Sequence, residues 1–127
     1  MCSSDLFDWP EFSLLQRFYL SINGVDLTRV KFVSTLQELQ ALPLSGKGLL
    51  IATWSISETA LEFREPFLAG LDPAYYLIAY QLEFSGIDNV AYFKAFAAAH
   101  PEMVWEDYPV YNFNGAGNHY LLGKRRS

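Results

Sequence analysis

The chain has 127 residues and a mass of 14.5 kDa, the size of one domain, and its 51% hydrophobic and 18% charged residues exclude wholesale disorder. Nine Lys and Arg against fourteen Asp and Glu give a net charge of -5, the wrong sign for gripping a phosphate backbone, so nucleic acid is not expected as a direct partner. Cys2 is the only cysteine, which excludes an intrachain disulfide; with an acidic start and no apolar run near the roughly 20 residues that cross a bilayer, a cytoplasmic protein without membrane contact is expected.

In chain order, Pro10 opens a short helix over about residues 10–17. Phe18, Leu20 and Ile22 then alternate, Asn23-Gly24 tolerates positive φ, and Val25 and Leu27 resume the alternation, a pattern that predicts a two-residue hairpin. Val30 and Phe32 fall out of phase, which asks for a bulge near Thr28-Arg29 or a strand buried on both faces. Ser34 and Gln37 fit a capping box for a helix bearing Leu36, Leu39 and Leu42 and stopped by Pro43. After a turn at residues 45–48, residues 49–56 read as an interior strand. Ser57 can cap a helix with Glu58, Glu62 and Glu65 on one side and Ala60, Phe63 and Phe67 on another, which Pro66 must end or kink. Residues 75–84 read as a strand with Tyr76, Ile78, Tyr80, Leu82 and Phe84 on its core face. Asp88 caps a helix to about Ala99, stopped by His100-Pro101. Residues 103–113 form a strand or strand pair whose Pro109 argues for an edge; residues 114–118 are a loop and 119–122 a last strand. This mixture without a regular βαβ rhythm predicts an α+β fold: a single globular domain over 1–127, with flexible ends at about 1–8 and 124–127. A curved mixed or antiparallel sheet should carry helices mainly on one face.

The chemistry is sparse. His100 and His119 are the only histidines, too few to specify a metal site, so no metal and no cofactor is expected. His100 suits a helix C-terminus, where it favours the dipole. His119, after a glycine-rich loop and beside Tyr120, is the better general-base candidate, with Glu83 a weaker catalytic one. Residues 115–117, Gly-Ala-Gly, would need a following helix to cradle phosphate, whereas a strand follows. Glu106 and Asp107 are adjacent, so on a strand they point to opposite faces and cannot flank one bond.

A surface reading remains. Three Trp, eight Tyr and ten Phe exceed what a core of this size needs, and between residues 48 and 123 only Arg64 and Lys94 are basic against nine acids. Trp105, Glu106, Asp107, Tyr108 and Tyr111 on an edge strand, with Glu58, Glu62 and Glu65 on a helix, would form an acidic, aromatic surface for a basic protein partner. Bacterial immunity proteins are similar in size and charge. Ile22-Asn23-Gly24, the leucine helix ending at Leu42-Pro43, the glycine turn and Ala52 with Trp54 resemble the barstar family of ribonuclease inhibitors, although residues 49–56 read as a strand where that family has a helix. The favoured expectation is therefore an inhibitor or immunity-type protein that covers a basic site on a toxin or nuclease, which leans away from an enzyme without excluding one. The competing one is a small-molecule-binding protein or enzyme with an aromatic-lined pocket and Glu83, His119 or Asp107 as its polar groups. A third is a homo-oligomeric structural protein, such as a homodimer, joined through exposed aromatics.

Overall fold

The structure, a computed structural model, describes residues 4–42, 48–111 and 117–127, and it divides into two compact units, Met1–Pro43 and Leu44–Ser127. In the first unit, β1 (Ser4–Phe7) pairs in parallel with β2 (Val30–Val33), Ser4 opposite Val30 and Phe7 opposite Val33. Parallel neighbours need a crossover, and α1 (Pro10–Ile22) supplies it, with Pro10 in its first turn.

The expected hairpin at residues 18–27 is thus replaced by helix. Leu14, Leu15, Phe18, Tyr19 and Ile22 recur at the three- and four-residue spacings of a helix, and the alternation of 18, 20 and 22 is a by-product of a segment apolar nearly all round. Asn23-Gly24 ends this helix rather than joining strands. The Asn23 backbone N–H and side-chain Nδ2 both donate to Tyr19 O, at 3.2 and 2.8 Å, and Gly24 takes φ +75°. Nothing lies within 4 Å of a Cβ built on Gly24, so Gly24→Ala isolates the cost of the left-handed backbone. Urea unfolding should show a loss of about 1 kcal/mol, and an unchanged midpoint would refute the assignment. α2 (Leu36–Gln40) begins one residue later than expected. Thr35 Oγ1 accepts the Glu38 N–H at 3.1 Å, while the Glu38 carboxylate accepts the N–H groups of Ser34 and Thr35. These bonds, that from Ser34 first, hold the Glu38 carboxyl below its ordinary pKa. Pro43 and residues 45–47 of the expected turn lie outside the described residues.

The second unit is built on a four-stranded mixed sheet in the order β3-β4-β8-β7. β3 (Leu49–Thr53) and β4 (Tyr75–Gln81) are parallel; β8 (Gly117–Arg125) is antiparallel to β4 and to β7 (Met103–Tyr111). Pro109 lies on an edge strand, where its missing N–H costs no interior ladder bond. The helix expected at Ser57 starts later, as α3 (Leu61–Ala69): residues 54–59 form turns, and Pro66 sits inside a helix that continues past it. The expected strand over 75–84 breaks at Leu82, after which β5 (Glu83–Phe84) and β6 (Ile87–Asp88) make a tight hairpin around Ser85 and Gly86, both at positive φ. α4 (Asn89–Ala99) is capped by Asp88, whose side chain accepts the Ala91 N–H at 2.9 Å. Lys124 and Arg125 belong to β8 and Ser4–Phe7 to β1, so these parts of the ends are paired strand.

Tyr76, Ile78 and Tyr80 alternate along β4 on a buried face, with Tyr80 and Phe93 ring centroids 4.5 Å apart and Tyr76 and Phe96 5.9 Å apart, so α4 covers this side. The opposite face carries exposed Leu49, Ile51, Tyr75, Val104, Tyr108 and Leu122. The α+β class, with a mixed sheet and helices, therefore stands. Burial of the core tyrosines has a titration consequence. Burial first, then the charge of Asp72, pushes Tyr76 up to about 12; burial and then its hydrogen bond to Asp107 push Tyr80 up as well. An unfolded tyrosine releases its proton near pH 10 while the folded one keeps it, so stability is intact below about pH 10 and falls as pH rises toward 12. Tyr76→Phe should flatten that decline in urea titrations; an equally steep decline would refute the cause.

Candidate functional site

Because β3 and β4 run in parallel and β7 runs with them, the carboxyl ends of three strands and the start of β8 meet at one end of the sheet. Open α/β sheets bind ligands at that end. The register there brings three polar side chains together. Tyr80 lies opposite His119, and Asp107 is opposite Leu121, two residues along β8 on the same face as His119. The Tyr80 hydroxyl donates to Asp107 Oδ2 at 2.8 Å, His119 Nδ1 lies 2.8 Å from Asp107 Oδ1, and the Tyr80 and His119 rings stack at 4.9 Å. His119 keeps only 15% of its side chain exposed and Asp107 28%. With Nδ1 engaged by the carboxylate, the Nε2 edge makes no hydrogen bond among the described residues.

Beside this cluster runs the loop from β3 to α3. Trp54 adopts φ +60° and donates its N–H to Ala79 O at 2.8 Å; its own carbonyl accepts from Glu58 N–H at 3.0 Å and lies 2.9 Å from Ser57 Oγ. Ser57 Oγ also lies 2.6 Å from Gln81 Oε1 at the end of β4. Beneath the loop, Arg64 is fully enclosed.

The residues predicted for a protein-binding face are not brought together. Trp105 turns inward: its Nε1 donates to His100 O at 3.1 Å and its ring meets Tyr76 and Phe96. Glu106 and Tyr108 hydrogen-bond to each other on the opposite side of the sheet from Asp107, as strand alternation dictates, and Tyr111 stands exposed at the strand end. Glu62 and Glu65 are on α3, whereas Glu58 sits in a turn. Glu83 accepts the Gly86 N–H at 3.0 Å and so braces the β5–β6 turn. His100 ends α4, its Nδ1 2.8 Å from Phe96 O. Asp107 and His119 were both visible as candidates, but not as a pair. The signal was the symmetry of two nine-residue strands about residue 114, which read as a hairpin would have placed them diagonally. Arg64, Asn89 and Ser57 gave no signal in the sequence. Gly115 and Ala116 lie outside the described residues, while Gly117 starts β8.

No family model and no curated protein matches the sequence. Solved structures do match in fold. The chain superposes over 98% of its length on 78% of the methyltransferase domain of bacterial CtHen1, with a TM-score of 0.69 at 11% identity. It superposes over 98% of its length on 74% of an rRNA methylase from Streptococcus thermophilus, at a TM-score of 0.64 and 17% identity. It spans less than half, 43%, of PigF, a structure solved with SAH, over 97% of its own length, at a TM-score of 0.62 and 15% identity. The fold is therefore of the methyltransferase-like Rossmann type.

This overturns the expectation of an inhibitor or immunity-type protein and of a basic toxin or nuclease partner, together with the exclusion of nucleic acid: the matching folds are those of methyltransferases, one of them acting on rRNA by its name. Composition misled because an acidic surface rich in rings is compatible with many folds, whereas the sheet order is specific. The competing expectation, an enzyme or small-molecule binder, agrees better. No helix among the described residues is long and apolar enough to cross a membrane.

Proposed function

We propose that the chain carries acceptor-activating machinery of a methyltransferase that uses S-adenosylmethionine, with His119 as general base. The observation that supports this most is the Asp107–His119 pair at the carboxyl end of the sheet, its second ring nitrogen uncommitted among the described residues. When bound, S-adenosylmethionine would supply an electrophilic methyl carbon and leave as the neutral thioether S-adenosylhomocysteine.

The chain's own residues handle the proton. His119 Nε2 would take the proton that the acceptor oxygen loses as its lone pair displaces the thioether from that methyl carbon. Asp107 keeps the imidazole in the tautomer with Nδ1 protonated and stabilises the imidazolium that results. The Tyr80 hydroxyl, donating to the other carboxylate oxygen, holds Asp107 in place. The test is transfer of labelled methyl from S-adenosylmethionine to small hydroxylated acceptors and to RNA, alongside calorimetry with S-adenosylhomocysteine. Binding with transfer to either acceptor class supports the reading; neither binding nor transfer at millimolar cofactor would refute it.

A further inference from the structure

Arg64 is a buried cation used by none of the chemistry above. Its Nη1 donates to Asn89 Oδ1 at 2.9 Å, and its Nη2 to Ser57 O at 3.0 Å and Thr59 O at 2.9 Å. The guanidinium carbon lies 4.5 Å from the Tyr92 ring centroid, and Nε has no hydrogen-bond partner among the described residues. Among the described residues no carboxylate forms an ion pair with it. An enclosed charge without a counter-ion is costly, and a methionine would fill the same space without that penalty. The donors therefore point to what the arginine does: two of its three hydrogen bonds go to carbonyls of the loop over residues 54–59, and the third goes to Asn89, whose Nδ2 in turn reaches Ser57 O at 3.3 Å.

That loop carries a strained residue. A tryptophan at φ +60° persists only where its surroundings over-determine it. Bonds from its N–H to Ala79 and to its carbonyl from Glu58 account for part of the constraint; buried Ile56 and Ser57 anchor the rest. The indole nevertheless keeps 37% of its surface open, next to the carboxyl ends of β3 and β4. We propose that Arg64 is a positioning residue which fixes the loop so that Trp54 forms a wall of the ligand site and stacks on a planar ring of the bound molecule. This rests on the methyltransferase reading. The ring could belong to the nucleoside or to an aromatic acceptor, which share the stacking chemistry.

The test uses the full chain with Trp9→Phe and Trp105→Phe, leaving Trp54 as the single indole. Saturation with S-adenosylhomocysteine or, separately, with catechol should change Trp54 emission, and the probe that does so identifies the source of the ring. Adding Arg64→Met should raise acrylamide quenching of Trp54 at least twofold and abolish the ligand response, while far-UV circular dichroism stays that of the parent. If Arg64→Met does not fold, Asn89→Ala, which removes the brace but keeps the cation, is judged by the same two readings. A folded variant with unchanged quenching and ligand response overturns the positioning role. A parent whose Trp54 responds to neither probe, yet which binds S-adenosylhomocysteine by calorimetry, overturns the wall and leaves the function standing; absence of binding and transfer together overturns both.

Discussion

His119→Ala is expected to lower methyl transfer by 100-fold or more while leaving the melting temperature within a few degrees of the parent. General-base assistance contributes roughly 10²–10⁴ in rate, whereas the contacts of the imidazole with Asp107 and Tyr80 lie at the rim of the core, where their loss should cost little stability. Its ring stacks on Tyr80 but remains partly open, unlike Phe93 behind it. Asp107→Asn should act through the same group. The amide can still accept from Tyr80, but it no longer stabilises an imidazolium, so turnover should fall steeply with little change in the affinity for S-adenosylhomocysteine. The double variant should be no worse than His119→Ala alone, because the carboxylate works only through the imidazole. Additive losses would place Asp107 in an independent role. Full activity of His119→Ala would remove the proposed base.

The second large effect is on stability. In the β7–β8 register Gly123 lies opposite Trp105, and a Cβ built there would come 2.8 Å from Cε3 and 2.9 Å from Cη2 of the indole, closer still to Cζ3. Trp105 cannot swing aside, since Nε1 is bonded to His100 O and the ring packs against Tyr76 and Phe96. Gly123→Ala should therefore cost about 1–3 kcal/mol by overpacking, and Gly123→Val more, measured by urea unfolding. Combining Gly123→Ala with Trp105→Leu should cost less than the sum of the two single changes, because removal of the ring relieves the clash. Strict additivity would mean that the strand shifts rather than the ring.

Elements governed by local rules were legible in the sequence, and those governed by distant partners were not. The helix behind Asp88, the stop at His100-Pro101 and the edge placement of Pro109 each follow from one or two residues with fixed backbone demands. Asn23-Gly24 shows the limit of such signals. The same dipeptide suits a hairpin and a helix end, and only the parallel pairing of β1 with β2, which requires a crossover between them, decides for the helix. At the site, His119 could be singled out as a base, and Asp107 as a polar group, from residue type alone. What makes them a pair is a register set by two strands, and what buries Arg64 is the meeting of α3, α4 and the loop after β3, neither of which leaves a local trace. The acidic and aromatic residues carried less information than they promised, because alternation along β7 sends Glu106 and Asp107 to different sides of one sheet.

The two rims of that sheet differ in how they receive another strand. Along β7, Pro109 offers no amide and two successive anions repel an approaching chain, so growth on that side is discouraged. β3 has no proline, no charge and an uninterrupted row of aliphatic and small residues, and its outer hydrogen-bonding groups have no strand beside them among the described residues. Of the two rims, β3 is therefore the one that presents neither proline nor charge against an added strand.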